Sequence, residues 1–168
     1  EREKGELFER LMQAYLRIDP VFADQFSDVW LWAEYPDRGN RPDTGIDLVA
    51  RDATTGHDVA IQCKFFAPKT TVTKPMIDSF LAASGREGFA ERIIISTSDR
   101  WAKNAEDAIK DQAIPVRRIG LSDLEASRID WSTFDPAAPA KLSIGGPHSP
   151  RPHQQEAIDV VRDSFAEV

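Results

Sequence analysis

Residues 47–64 read D-L-V-A-R-D-A-T-T-G-H-D-V-A-I-Q-C-K, and the reading of this stretch decides the fold. Ile46 to Ala50 and Val59 to Phe65 are apolar and β-prone, while Asp52, Thr54, Thr55 and Gly56 between them are turn formers. The pattern predicts two antiparallel strands with Asp47 opposite Gln62. Side chains alternate along a strand, so this register puts Asp47, Val49, Ala60, Gln62 and Lys64 on one face. Ile46, Leu48, Val59, Ile61 and Cys63 fall on the other, which is apolar throughout, as a core face is. The first face gathers an acid, an amide and an amine at one end of strands otherwise fit for burial.

An exposed Asp and Lys at the rim of a sheet would form an ion pair worth little. Half-buried charges, by contrast, are uncommon unless they are paired, hold a metal or take part in chemistry. An acid beside a lysine is what phosphodiester hydrolysis requires. The acid holds a divalent cation, and the ammonium stabilises charge on the phosphate or orients the attacking water.

G-I-D-L-V-A (residues 45–50) followed by A-I-Q-C-K (residues 60–64) resembles the PD-(D/E)xK nuclease superfamily, in the Mrr-like variant with Gln in place of the second acid. The resemblance implies that Asp47 is the metal-binding aspartate, Gln62 the replaced acid and Lys64 the catalytic lysine. An amide carries no charge, so metal affinity then rests on Asp47, on a backbone carbonyl such as that of Cys63, and on another carboxylate. The resemblance runs from the first helix to about residue 130, and its nearest form is the N-terminal nuclease module of single-chain, ATP-driven (Type ISP) restriction-modification enzymes.

Composition is compatible with this reading. The chain has 168 residues, 41% of them hydrophobic, with nine Phe and four Trp, enough for one domain with a real core plus a little more. A single cysteine excludes an internal disulfide, and the scattered His57, His148 and His153 suggest no zinc site. No apolar run approaches membrane-spanning length, and the charged N-terminus is unlike a signal peptide, so a cytoplasmic location is expected. The chain opens on Glu1 rather than Met, as an excised piece would. The formal net charge of -7 is unusual for a DNA binder. From Val59 to Ile77, however, Lys64, Lys69 and Lys74 occur with no acid. A local basic lip on an acidic domain fits a nuclease delivered to DNA by other domains, and a solvated lysine loop is the plainer alternative.

Along the chain, Glu1 to Leu16 predicts an amphipathic helix with Leu7, Phe8, Leu11, Met12, Tyr15 and Leu16 on its apolar arc. Glu9 sits at the margin of that arc and Glu6 points further toward water. K-G-E-L-F-E-R-L resembles the family's first helix, and the resemblance implies that Glu9 joins the metal site; an exposed helix charge is the equal alternative. Asp19-Pro20 is expected to stop the helix, and Val29 to Ala33 to form a short strand. Glu34 is a second possible ligand, ranked below Glu9 because a turn-rich loop follows it, and Asp43 is read as an Asx turn. Thr73 and Pro75 open a helix to about Ser84, with Met76, Ile77, Phe80 and Leu81 buried and Asp78 off that stripe. Arg92 to Ser96 and Val116 to Ile119 are strands, joined through a helix from Trp101 to Gln112. Thr97, Ser98, Arg100, Lys103 and Asn104 could hold a phosphate where strand gives way to helix, although capping by Ser98 or Asp99 is the preferred account. Leu121 to Ser127 is a short helix.

The texture changes after Asp130: Pro136, Pro139, Gly145, Gly146, Pro147, Pro150 and Pro152 read as a linker. Beyond it, R-P-H-Q-Q-E-A-I-D-V-V (residues 151–161) resembles the glutamine motif at the entrance of superfamily 2 helicase and translocase cores. That resemblance implies an adenine-reading role for Gln154 rather than Gln155, with a generic amphipathic helix as the alternative. No G-x-x-x-x-G-K-[ST] phosphate loop occurs, so ATP is expected to act only in a full-length protein.

The expected domain is therefore α/β, a central mixed sheet flanked by helices in the order α-β-β-β-α-β-α-β and restriction-endonuclease-like. Residues 1–130 form the nuclease domain, 131–150 a linker and 151–168 the beginning of a motor. The expected activity is Mg2+- or Mn2+-dependent cleavage of double-stranded DNA. Asp47, Gln62 and Lys64 are catalytic; Asp47, Glu9 and the Cys63 carbonyl hold the metal; Lys69, Lys74 and Lys103 contact DNA. Helicase and methyltransferase domains of the same full-length chain are the expected partners, with no membrane. Two rivals stand beside this reading: a catalytically silent clamp coupled to a motor, and a dimeric branched-DNA resolvase.

Overall fold

The computed structural model describes residues 1–42, 45–86, 88–135 and 137–145. Among these, helix α1 (Arg2–Ile18) and the short α2 (Pro20–Gln25) precede strands β1 (Phe26–Leu31), β2 (Leu48–Asp52) and β3 (Asp58–Lys64). Then come α3 (Lys74–Ser84), β4 (Phe89–Ser96), α4 (Lys103–Ile109), β5 (Val116–Ile119) and α5 (Leu121–Ala126). A last small hairpin pairs β6 (Ile129–Asp130) with β7 (Ser143–Ile144).

The main sheet has the order β1-β2-β3-β4-β5. Its first pairings, β1 with β2 and β2 with β3, are antiparallel; β3 with β4 and β4 with β5 are parallel. This is the expected mixed α/β sheet. Leu48 pairs with Ile61 and Val49 with Ala60, the register read from the hairpin sequence.

Each face of the sheet buries its own apolar cluster. On one, Leu48, Ala50, Val59, Ile61, Ile93 and Ile95 meet Phe8, Leu11, Met12, Tyr15 and Leu16 of α1. On the other, Val49, Ala60 and Ile94 meet Ile77 and Phe80 of α3 and Ala105 of α4. At roughly 25 cal/mol per Å² of apolar area removed from water, such clusters supply most of the driving force for folding.

Several expectations are corrected. Asp19 and Pro20 end α1 but also start α2: the Asp19 carboxylate accepts from Val21 N at 3.1 Å, and Pro20 is the first helical residue. The strand expected at Val29 to Ala33 is Phe26–Leu31, and Trp32–Glu34 turns into a 3-10 helix. The helix expected from Trp101 shortens to Lys103–Ile109, because Trp101 is held in a bridge to Val72. Ser98 and Asp99 do not cap it; its N-cap is Ala102. The buried Ser98 hydroxyl instead donates to the carbonyls of Pro68 and Thr70, and Asp99 accepts from Ser122 N at the start of α5. Trp131 and Leu142, within the stretch expected to be linker, are buried in the α1-side cluster. Residues 146–168, with Gln154 and Gln155, lie outside the described residues, as does Asp43. Among the described residues no helix is long and apolar enough to cross a membrane.

Candidate active site

The site begins where β2 does. Ile46 was expected beside Leu48, but it packs with Val49 and Ala60 on the α3 face. Alternation breaks at Asp47, because nonlocal bonds shape the backbone there: Asp47 N donates to Ile61 O at 2.9 Å, and Asp47 O accepts from Trp32 N at 2.8 Å. Gly45 makes this entry possible. Its φ is +92°, and a Cβ there would meet Ser79 Oγ at 3.1 Å and the Phe80 amide nitrogen at 3.3 Å, so α3 presses on the turn.

Asp47 Oδ2 accepts from Cys63 N at 2.7 Å, binding the acid to β3 across the gap that β2 has not yet filled. In an extended strand the N–H and C=O of one residue point to the same side. The Cys63 carbonyl therefore also faces Asp47, while the next carbonyl, of Lys64, accepts from Thr97 N of the β4 side at 3.1 Å. The Cys63 side chain packs against the α1-side cluster, as expected. Desolvation pushes its thiol well above the ordinary range, the Asp47 and Glu9 carboxylates add to the rise, and Lys64 opposes it. The charges of Glu9 on α1, Asp47 just before β2 and Lys64 on β3 thus all act on the Cys63 thiol.

Glu9 is half-buried and Glu6 exposed, the order expected from the helical wheel. Glu9 and Asp47 line one cavity of about 500 Å³, between α1 and the segment from Leu31 to Asp47. Arg10, Trp32 and Arg38 line it too. Reading the sequence singled out neither arginine: Arg10 follows Glu9 on the helix, and Arg38 lies in the turn-rich loop treated as commonplace.

Gln62 is only 2% exposed. Its Nε2 donates to Gly45 O at 3.3 Å, while Oε1 has no hydrogen-bond partner among the described residues. A buried acceptor without a donor costs free energy unless something else fills the role. Lys64 is half-buried at the end of β3, level with Ser96 of β4.

The remaining candidates lie elsewhere. Glu34 is exposed and turned to local work, accepting from Gln13 Nε2 at 3.3 Å and Leu31 N at 3.4 Å. Asp78 pairs with Lys74 at 2.7 Å, and Lys103 with Asp107 at 2.8 Å, each one turn along its helix. Lys69 is exposed in the loop after β3. Thr97 and Ser98 are buried and bonded to residues 66–70, so they brace that loop rather than offer a phosphate site.

Among the described residues, no group of three or more His, Cys, Asp or Glu side chains is placed to hold a metal. The donor set on offer is instead two carboxylates, a backbone carbonyl and an amide oxygen. All are hard oxygen donors, the kind that Mg2+ takes.

A family model described as restriction endonuclease matches residues 17–141. It begins after Glu9, so that residue and most of α1 lie outside it. Among solved structures, the ATP-dependent Type ISP restriction-modification enzyme LlaBIII bound to DNA is 36% identical over 96% of this chain, with a TM-score of 0.72. The chain spans 10% of that protein's length. A protein of unknown function, AF1548, is 17% identical and shares the fold at a TM-score of 0.53, over 97% of this chain and 100% of that one. The MspJI restriction endonuclease in complex with a 27-mer oligonucleotide is a looser likeness, 18% identical with a TM-score of 0.49, over 100% of this chain and 32% of that one. No curated protein matches the sequence.

Proposed function

Because the chain belongs to the restriction endonuclease family, we propose that it is a metal-dependent endonuclease hydrolysing phosphodiester bonds of double-stranded DNA, with its site at Asp47, Gln62 and Lys64. The observation that carries this reading is the Asp47 carboxylate, anchored by Cys63 N next to Lys64 on β3 and lining one cavity with Glu9.

Asp47, Glu9 and the Cys63 carbonyl would hold Mg2+ or Mn2+, and the open Oε1 of Gln62 supplies a neutral oxygen where a second strand acid would otherwise stand. Bound there, a divalent cation would polarise the phosphate and ease deprotonation of the attacking water. The ammonium of Lys64 balances the negative charge that grows on the phosphate oxygens as the water oxygen bonds to phosphorus and one P–O ester bond breaks. Asp47, anchored by Cys63 N, is held in place before substrate arrives. Gln62, tied to Gly45 O, keeps its amide oriented.

Exposed Lys69 would meet the DNA backbone, joined by Lys74 and Lys103, whose surface ion pairs are weak enough for phosphate to displace. In this reading the chain is the nuclease module of a larger ATP-driven enzyme working in the cytoplasm. Motor and methyltransferase domains of the same full-length chain deliver the DNA, and ATP acts on the motor. The likeness to LlaBIII supports that placement.

One observation favours a second reading, a silent DNA clamp: no cluster of three acidic, His or Cys ligands exists among the described residues. Cleavage of supercoiled plasmid with Mg2+ or Mn2+ decides between them. The full-length protein with ATP should nick or linearise the plasmid, and Asp47→Ala and Lys64→Ala should each abolish cutting. Binding without cutting in the parent protein would establish the clamp.

A further inference from the structure

Two guanidiniums share the cavity with the candidate metal-holding acids. Arg10 extends from α1, one residue after Glu9, and Arg38 comes from the 3-10 turn Pro36–Arg38 on the opposite wall. Among the described residues neither guanidinium forms an ion pair or a hydrogen bond. Arg2, also on the cavity, is paired with Glu6 at 3.2 Å.

Arg38 stands on a braced loop. The Arg41 guanidinium stacks over Trp32 at 5.4 Å and Tyr35 at 5.9 Å, and donates to Arg38 O at 3.0 Å and Asp37 O at 2.5 Å. The Asp37 carboxylate is held by Arg51 at 2.9 Å, and Arg51 is fixed in turn by two bonds to Asp58 at 2.8 and 3.1 Å. Six side chains therefore brace the turn while leaving the Arg38 guanidinium uncommitted. A preorganised cation binds an anion with less ordering cost than a lysine on a mobile loop.

The charges on the cavity point to the ligand. Asp47 and Glu9 together match one divalent cation, which leaves two positive groups, Arg10 and Arg38, on opposite walls. A guanidinium fork suits a phosphate oxygen pair. We propose that Arg10 and Arg38 are a two-sided phosphate clamp, each holding a backbone phosphate of duplex DNA beside the bond to be cut. The clamp rests on the nuclease reading above and adds to it the path of the substrate. DNA enters between α1 and the β1–β2 connection, over a wall distinct from the lysines of α3 and α4.

The test is cleavage of plasmid by the full-length protein carrying Arg10→Gln, Arg38→Gln or both, with Asp47→Ala in parallel and the KCl concentration varied. Each single Gln variant should slow cleavage about tenfold, and the double variant should lose more. Each should flatten the dependence of log rate on log salt by about one, the mark of one lost phosphate contact. Arg10→Lys and Arg38→Lys should recover the part of the rate that charge supplies and fall short of the parent because the fork is not restored; a purely structural role would not follow charge in this way. Parental rates and salt slopes in the Gln variants, with Asp47→Ala inactive, would overturn the clamp and leave the nuclease reading standing. Parental cutting by Asp47→Ala would remove the nuclease reading and the clamp with it. Should a Gln variant fail to fold, the corresponding Met variant, which keeps the aliphatic stem and loses the charge, carries the same prediction for rate and salt slope.

Discussion

The backbone N–H of Cys63 donates to the Oδ2 of Asp47 at 2.7 Å, so the acid proposed to hold the metal is also part of the fold. The two roles separate by mutation. Asp47→Asn keeps an oxygen for Cys63 N–H and loses the charge, so it should fold with nearly parental stability and lose cleavage by at least a hundredfold. Asp47→Ala strands that amide and should cost a further ~1–3 kcal/mol. Urea unfolding beside plasmid nicking checks both, and equal stability of the two variants would show that the Cys63 bond contributes little.

Gln62 offers a second separation. Replacing it with Glu adds an acid at this strand position, but puts a carboxylate where the side chain is 2% exposed. Burial disfavours the charged form unless a cation accompanies it. Gln62→Glu should therefore melt below the parent in EDTA and regain the difference in Mg2+. A melting temperature unmoved by Mg2+ would place the metal away from this residue.

Gly45→Ala tests the turn that feeds the site. The positive φ and the contact with α3 both oppose a Cβ, so the variant should lose about 1 kcal/mol or more. Its anchor on Gln62 should shift as well, lowering cleavage more than the stability loss alone would. Unchanged melting and unchanged rate would show that the turn relaxes freely.

Alkaline stability follows from Tyr35. Burial, with the hydrogen bond to Asp58 and the nearby Asp58 and Asp37 charges, pushes its hydroxyl from 10.0 up to about 12. The folded state then holds the proton more tightly than the unfolded chain. The associated stability is complete below pH 10 and is lost as pH rises toward 12. Tyr35→Phe should give a shallower decline of unfolding free energy across that window, measured by urea titration at successive pH values. Tyr15, pushed up by desolvation and the Asp19 charge, falls in the same direction.

Arg92 is 2% exposed and has no carboxylate partner among its bonds, which go to Leu81 O at 3.3 Å, Gln112 Oε1 at 2.9 Å and Ile114 O at 2.8 Å. Desolvation lowers its affinity for the proton, yet it ties the end of α3 to the loop before β5. Arg92→Ala should destabilise by ~3 kcal/mol, leaving a cavity and taking the donor from Ile114 O and Gln112 Oε1 while Leu81 O keeps Gly85 N, whereas Arg92→Met should cost less by filling the space. Equal losses would assign the effect to the hydrogen bonds rather than to volume.

What the sequence determined by itself was everything governed by local periodicity and turn chemistry. The Leu48–Ile61 register, the inward margin of Glu9, the limits of Val116–Ile119 and the start of α3 at Thr73 and Pro75 all follow from spacing within a few residues. Tertiary structure alone decided the rest. Alternation places Ile46 beside Leu48, but the bonds of Asp47 to Trp32 and Ile61 turn it to the opposite face. Ser98 looked like a cap because local geometry favours one; burial gave its hydroxyl to Pro68 and Thr70 instead. Arg10 and Arg38, 28 positions apart, become neighbours of Asp47 only because α1 packs across the sheet beside the β1–β2 connection. A pattern of residues along a chain carries the strand and the acid, whereas the cavity around that acid is made by groups that meet only after the chain has folded.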